Sequence, residues 1–331
     1  MRVILPMPGN ETFAAALAAQ GSWRLGELET RRFPDGESYV RLLSDVRGSI
    51  VEIVCTLAPS DDAILPLVFA ADAARDLGAS AVNLVAPYLA YMRQDRRFRP
   101  GEAITSRSFA RLISATFDRL TTVDPHLHRY KALSDLYDID SQVLHAAAPL
   151  ADWIAAEVHD PLIIGPDEES EQWVSAVAGR VGAPHLVLRK IRHGDRDVEI
   201  AVPDLSGFGG RRPVLIDDIA SSGRTMTEAA RQLPGRGLAR PVCAVVHGVF
   251  AGDAYDRLSA VAERIVSTDS VPHRSNAITL APLVADAIAQ NLDTAGPVRR
   301  RRPPEAIDPV ELAGLQSFPA SDPPGGASDD A

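Results

Sequence analysis

Short apolar runs recur along the chain, separated by stretches in which apolar residues return every three or four positions. Residues 2–6, 23–32, 38–43, 49–55 and 80–89 read as strands, and 117–129 as a strand ending at Asp124 and two histidines. Between them, an alanine-rich stretch opens at Asn10, Glu11 and Thr12 and ends near Gly21. The segment 59–78 has a polar start, helical apolar spacing and a closing glycine, and 93–113 is a charged loop running into a helix. The order then repeats. Helix 148–158, strand 159–170, a helix to about Gly182, strand 184–190, a polar loop at 191–198 and the strand of Arg212-Pro213-Val214-Leu215-Ile216-Asp217-Asp218 follow. Helix 225–232, strands at 241–247 and 263–267 and helix 277–290 close the pattern. Alternating strands and helices predict an α/β chain of two similar domains, each with a mostly parallel sheet flanked by helices, dividing at 1–147 and 148–293. From 294 to 331 an arginine cluster, many prolines and glycines and an acidic end predict a disordered tail.

Composition narrows the classes. The 331 residues are 46% hydrophobic and 24% charged, as in a globular protein of two domains. A formal net charge of -10 argues against nucleic acid as the partner of the body of the chain, and Arg299–Arg302 reads as a solvated run. Cys55 and Cys243 lie in separate apolar runs and read as buried thiols. The N-terminus is a poor signal peptide and no stretch is long enough to span a bilayer, so no membrane is expected and the cytoplasm is the expected location.

The chemistry concentrates in one stretch, RPVLIDDIASSGRTM at 212–226. In parallel sheets, ligands bind beyond the carboxyl ends of strands, where Asp217 and Asp218 fall. Residues 221–225 form the turn before a helix. Its backbone N–H groups, the hydroxyls of Ser221, Ser222 and Thr225 and the helix N-terminus suit a phosphate. The two carboxylates repel that phosphate but accept hydrogen bonds from sugar hydroxyls, or hold a divalent cation. A sugar phosphate satisfies both halves.

The whole pattern of this stretch, with Gly223 and Arg224 completing the turn, resembles the phosphoribosyl-pyrophosphate (PRPP) loop. That loop marks type I phosphoribosyltransferases and ribose-phosphate diphosphokinases. The N-terminal half is similar to the second group alone. RRFPDGESYVRL at 31–42 resembles the segment whose Phe33, Asp35 and Glu37 would meet the adenine end of ATP, from a neighbouring subunit. PYLAYMRQDRRFRPGEAITSRSFARLI at 87–113 resembles the segment in which Arg93 and Gln94 would meet the nucleotide, and TVDPHLH at 122–128 the one in which His126 holds a metal. TDSVPHRSNAITLAPLVADAI at 268–288 is similar to the family's C-terminal signature. The resemblance covers about residues 1–290. It implies two type I phosphoribosyltransferase-like domains and a homo-oligomer, dimer or hexamer. The implied reaction converts ATP and ribose 5-phosphate to PRPP and AMP with Mg2+. It further implies His126 and Asp167 as metal ligands, Asp217, Asp218 and 221–225 around ribose 5-phosphate, and Lys190 and Arg192 as the cationic pair at the transferring group. Two such cations would each contribute about 3 kcal/mol, roughly 10²-fold in rate.

Four departures stand out. Glu168 and Glu169 follow Asp167 where small residues are usual; they point away, hold a cation, or mark a different ligand. Pro125 stands where leucine is common, and Ser221 replaces an acid common in the best-known class. Arg224 replaces a glycine, which favours a phosphate electrostatically but also takes space. A phosphoribosyltransferase would need no ATP elements, and a non-catalytic paralogue would be expected to lose the cationic pair or the metal ligands. Both remain as alternatives.

Overall fold

The computed structural model describes residues 1–290 apart from 59–60, 128, 193–197 and 202–204; the side chains of residues 169, 172, 190–192, 198–201 and 206 also lie outside the description, as does the expected tail at 294–331. In the first half, β1 (Arg2–Pro6), α1 (Glu11–Gly21), β2 (Arg24–Leu25), β3 (Leu28–Arg32), β4 (Ser38–Leu42), β5 (Ile50–Val54) and α2 (Asp61–Asp76) are followed by β6 (Ala81–Ala86), α3 (Thr105–Thr116), β7 (Arg119–Val123), β8 (Asp140–Leu144) and α4 (Ala147–Glu157). The second half runs β9 (Pro161–Gly165), α5 (Glu171–Val181), β10 (His185–Val187), β11 (Arg189–Arg192), β12 (Val198–Ala201) and β13 (Arg212–Ile219). It ends with α6 (Arg224–Gln232), β14 (Val242–His247), α7 (Ala254–Ser259), β15 (Arg264–Thr268), β16 (Asn276–Ile278) and α8 (Ala281–Gln290).

Each half builds one parallel sheet, in the orders β2-β1-β5-β6-β7-β8 and β10-β9-β13-β14-β15-β16. The two orders superimpose strand for strand, and each half sends out an antiparallel hairpin after its second strand, β3/β4 and β11/β12. The two similar parallel-sheet domains predicted from the alternation are present. The central strands read correctly because both their faces are covered, which leaves runs such as Val214-Leu215-Ile216 fully buried.

Several elements differ from expectation: β8 lies where no strand is expected, β16 takes the start of the helix expected at 277–290, and three further differences lie closer to the site. The strand expected at 184–190 breaks at Leu188, whose N–H gives a last hydrogen bond to the Gly165 carbonyl (2.9 Å) before the chain leaves the sheet. The loop expected at 191–198 begins as the strand pair β11/β12, with Lys190 opposite Ile200. The strand expected over 117–129 stops at Val123, because Asp124 takes a left-handed conformation (φ 35°) that no strand accommodates.

The halves share a core. α1 packs on α8, and α4 on α5. Because α1 matches α5 and α4 matches α8 in the two topologies, these are one contact made twice around an approximate two-fold. Phe13, Leu17, Leu150, Ile154, Val174, Val177, Val284 and Ile288 fill it as a single apolar cluster. At its edge Arg2 donates to the Ile288 carbonyl at the end of α8 (2.6 Å) and pairs with buried Glu52 (3.2 Å). The carboxyl ends of β7, β9 and β13 are thereby held around one space.

Candidate active site

That space is a cavity of about 570 Å³. The end of β7 supplies Asp124 and His126 to its wall, the end of β9 supplies Asp167, and the end of β13 supplies Asp217 and Asp218. Ser221 lines it from the turn before α6, Thr225 from the first turn of that helix, Arg93 and Lys131 from loops of the first half, and His145 from the end of β8.

Asp124 anchors the first half of the wall. Its left-handed backbone costs on the order of 1–2 kcal/mol, less for an aspartate than for most residues. Three contacts hold it there. Ala146 N–H donates to Oδ2 (2.7 Å), His145 Nδ1 lies 2.8 Å from Oδ1, and the main-chain carbonyl lies 3.3 Å from His247 Nε2. His247 ends β14 in the other half, is fully buried, and has its Nδ1 2.9 Å from Ser270 Oγ. A carbonyl can only accept, so neutral His247 carries its proton on Nε2, and Nδ1 faces the Ser270 hydroxyl, which also lies 2.9 Å from the Val246 carbonyl. Burial pushes its pKa down to about 4, against the pull of the Asp124 carbonyl and the Asp218 charge. Burial likewise raises the Asp124 carboxyl, and the His145 and Ala146 bonds oppose it.

His126 Nδ1 lies 3.0 Å from Asp218 Oδ2, joining the two halves across the cavity. Asp218 Oδ1 accepts from Ile219 N–H (2.7 Å), and Asp217 Oδ1 from Asp218 N–H (3.1 Å). Burial works to raise the Asp218 carboxyl, but the His126 hydrogen bond and charge, together with the Ile219 N–H, hold it below the ordinary value. An ionised Asp218 accepts the Nδ1 proton of His126, and in the neutral ring this makes Nε2 the lone-pair atom, the arrangement in which carboxylates orient metal-binding imidazoles.

The turn into α6 is pinned from outside: Phe250 and Ala251 N–H groups donate to the carbonyls of Ala220 (2.8 Å) and Ser221 (3.0 Å). Gly223 caps the helix at φ 62°. A Cβ there would meet Ala254 only at 3.7 Å, so backbone conformation, not space, selects the glycine. The first N–H groups of α6 lack helical acceptors by construction, which leaves a turn of donors next to the Ser221 and Thr225 hydroxyls.

The remaining sequence-predicted residues divide. Ser222 and Arg224 are exposed and off the cavity wall, and Gly223 is buried behind it. Phe33, Asp35 and Glu37 sit at the tip of the β3/β4 hairpin, where Phe33 N–H donates to the Glu37 carbonyl (2.8 Å) and Arg31 lies over the Phe33 and Tyr39 rings (4.6 and 4.1 Å). None of the three lines the cavity of its own chain. Gln94 is half-buried beside the wall. The backbones of Lys190 and Arg192 lie on β11, and their side chains are outside the described residues. Glu168 is exposed, 3.5 Å from Arg189, and off the cavity wall. Sequence reasoning missed His145 and His247. His247 closes a buried strand at its carboxyl end, and that position was the available signal; His145 carried none.

Residues 2–116 match the N-terminal domain of ribose phosphate pyrophosphokinase, and residues 135–277 match the phosphoribosyl transferase domain. A ribose-phosphate pyrophosphokinase of Methanopyrus kandleri is 38% identical over 289 residues, 86% of this chain and 98% of its own. The chain belongs to the ribose-phosphate pyrophosphokinase family. A second member, from Halobacterium salinarum, is 34% identical over 86% of this chain and 100% of its own. The fold is also that of phosphoribosylpyrophosphate synthetase from Mycobacterium smegmatis, with a TM-score of 0.74 and 23% identity over 87% of this chain and 97% of that one. Membership joins the two halves as parts of one pyrophosphokinase. Among the described residues, no helix is long and apolar enough to cross a membrane.

Proposed function

We propose that the protein is a ribose-phosphate diphosphokinase that converts ATP and ribose 5-phosphate to PRPP and AMP. The observation that carries the reading is the pairing, in one cavity, of Asp217 and Asp218 with the donors of Ser221, Thr225 and the first turn of α6. The acids suit ribose hydroxyls and the donors suit the 5-phosphate. In the reaction the 1-hydroxyl oxygen attacks the β-phosphorus of ATP, the bond from that phosphorus to the α,β-bridging oxygen breaks, AMP leaves with the electron pair, and the hydroxyl proton passes to solvent. The protein's work is orientation and charge neutralisation. Lys190 and Arg192 take the second task, by resemblance. His126 and Asp167 are the donors for Mg2+. Among the described residues no group of three or more His, Cys, Asp or Glu side chains is placed to hold a metal ion. Mg2+ keeps several waters and takes its other ligands from phosphate oxygens, so it needs few protein donors. When bound, it neutralises charge on the triphosphate.

Phe33, Asp35 and Glu37 stand exposed on a hairpin away from their own cavity, which supports contact with ATP bound to a neighbouring copy and hence a homo-oligomer, dimer or hexamer. The net charge of -10 speaks against nucleic acid, and the reading places the reaction in the cytoplasm. Incubation with ATP, Mg2+ and ribose 5-phosphate, followed by separation of nucleotides, is expected to give AMP and PRPP in equal amounts. ADP, or no turnover, would overturn the proposal.

A further inference from the structure

We propose that His145 is a substrate contact of this cavity, its imidazole presented to a phosphate oxygen by the buried carboxylate of Asp124. The inference rests on the reading of the cavity as a site for phosphorylated substrates.

The two partners of this pair are unequal. The Asp124 side chain is 3% exposed and the His145 side chain 73%, yet 2.8 Å separates Oδ1 from Nδ1. Both Asp124 oxygens are engaged as acceptors, Oδ2 by Ala146 N–H and Oδ1 by the ring, so Nδ1 carries a proton. The ring's other nitrogen, Nε2, is then its remaining polar atom, on a side chain that lines the cavity. The arrangement repeats that of His126, whose Nδ1 is held by Asp218 in the same cavity. One imidazole is thus fixed by the second half of the chain and the other by the first.

The support beneath His145 is rigid. Asp124 is held at its carboxylate by Ala146 and at its carbonyl by His247, which is itself held by Ser270. A group fixed before the ligand arrives loses little freedom on binding. A purely structural role fits poorly. Ala146 N–H already ties the Asp124 carboxylate to the end of β8, and so exposed a ring buries little surface. Charge points the same way. Among the described residues of the wall, Asp124, Asp167, Asp217 and Asp218 stand against Arg93 and Lys131, and a phosphoryl ligand needs donors facing it. The Asp124 hydrogen bond holds the His145 imidazole above its ordinary pKa, against partial burial, which enlarges its cationic fraction.

The test uses the full-length chain as wild type, His145→Ala and His145→Gln. Dissociation constants for ribose 5-phosphate and for ATP, each alone, are measured by calorimetry, alongside KM, kcat and thermal melting. Loss of one charge-assisted hydrogen bond is expected to weaken one of the two substrates by about tenfold in His145→Ala, in both Kd and KM, with the other nearly unchanged. Which substrate weakens tells whether the sugar phosphate or the nucleotide supplies the oxygen. His145→Gln, which keeps an N–H, is expected to fall between, and added imidazole to restore part of the Ala variant's affinity. Unchanged constants for both substrates in a variant that melts like wild type would overturn the proposal. So would an equal loss for both accompanied by a lower melting temperature. If His145→Ala does not fold, the Gln variant decides by the same criteria. If wild type binds ribose 5-phosphate but makes no PRPP and AMP, the proposed function falls while the binding measurements still judge His145.

Discussion

Acid is expected to destabilise the wild-type protein more steeply than a His247→Gln variant. His247 is fully buried between the two halves and neutral, and its pKa falls from 6.5 to about 4. The sign follows from proton counting. Above pH 6.5 neither state binds a proton there. Below it the unfolded chain protonates the exposed ring, while the folded ring resists until about pH 4. Stability is therefore lost as pH falls through that window. The gap of roughly 2.5 pH units corresponds to about 3 kcal/mol in full, of which about 2 kcal/mol is lost between pH 7 and pH 5. Glutamine keeps an N–H for the Asp124 carbonyl and does not titrate. Its loss at pH 7 is expected to be about 1 kcal/mol, the scale of one imperfect hydrogen bond. The assay is urea unfolding of both proteins at steps from pH 7 to pH 5, with the difference in stability plotted against pH. Other groups titrate in both proteins and cancel in that difference to first order. The wild-type advantage is expected to shrink with acid and reverse. Parallel curves would refute the claim that a neutral His247 bridges Ser270 and Asp124.

Asp218→Asn removes a charge from the sugar side of the cavity while leaving an acceptor for His126; it is expected to raise the KM for ribose 5-phosphate about tenfold or more with little change for ATP. A change confined to ATP would refute the sugar assignment. Lys190→Ala is expected to lower kcat by roughly 10²-fold, well beyond its effect on KM, because its contact strengthens in the transition state; steady-state kinetics read this directly. Gly223→Ala is expected to lower stability by about 1 kcal/mol through its left-handed backbone, measurable by urea unfolding, and to weaken ribose 5-phosphate binding in calorimetry. Burial pushes the Cys55 thiol up to about 12 and Cys243 higher still, so neither is expected to react with a thiol reagent until the chain is unfolded.

Local pattern made some parts of the molecule legible and long-range contact hid others. Parallel strands covered on both faces announce themselves as apolar runs, whereas β8, Asp-Ser-Gln-Val-Leu at a sheet edge, carries no such run and escaped notice. The strand, turn and helix start that bear Asp217, Asp218, Ser221 and Thr225 are contiguous, so their convergence was readable. His145 and His247 acquire their roles from Asp124, 21 and 123 residues away, and no local signal encodes that. His126 was legible by resemblance alone.

Two of the departures from the family pattern, Arg224 and Glu168, have geometric answers. Thr225 faces the cavity, and successive residues of a helix differ by about 100°, so Arg224 at the first position of α6 is turned out to solvent. Its guanidinium neither fills the pocket nor adds charge to the wall. Glu168 sits on a tight turn after Asp167, exposed and near Arg189. A negative charge on that side of Asp167 is screened by solvent and by its partner, and it adds little to the field in the cavity. Among the described residues, the electrostatic character of the site is set by Asp124, Asp167, Asp217 and Asp218 against Arg93, Lys131 and two imidazoles. That balance of acids for hydroxyls or a cation, and donors for phosphate, is the one a sugar phosphate requires, and neither Arg224 nor Glu168 alters it.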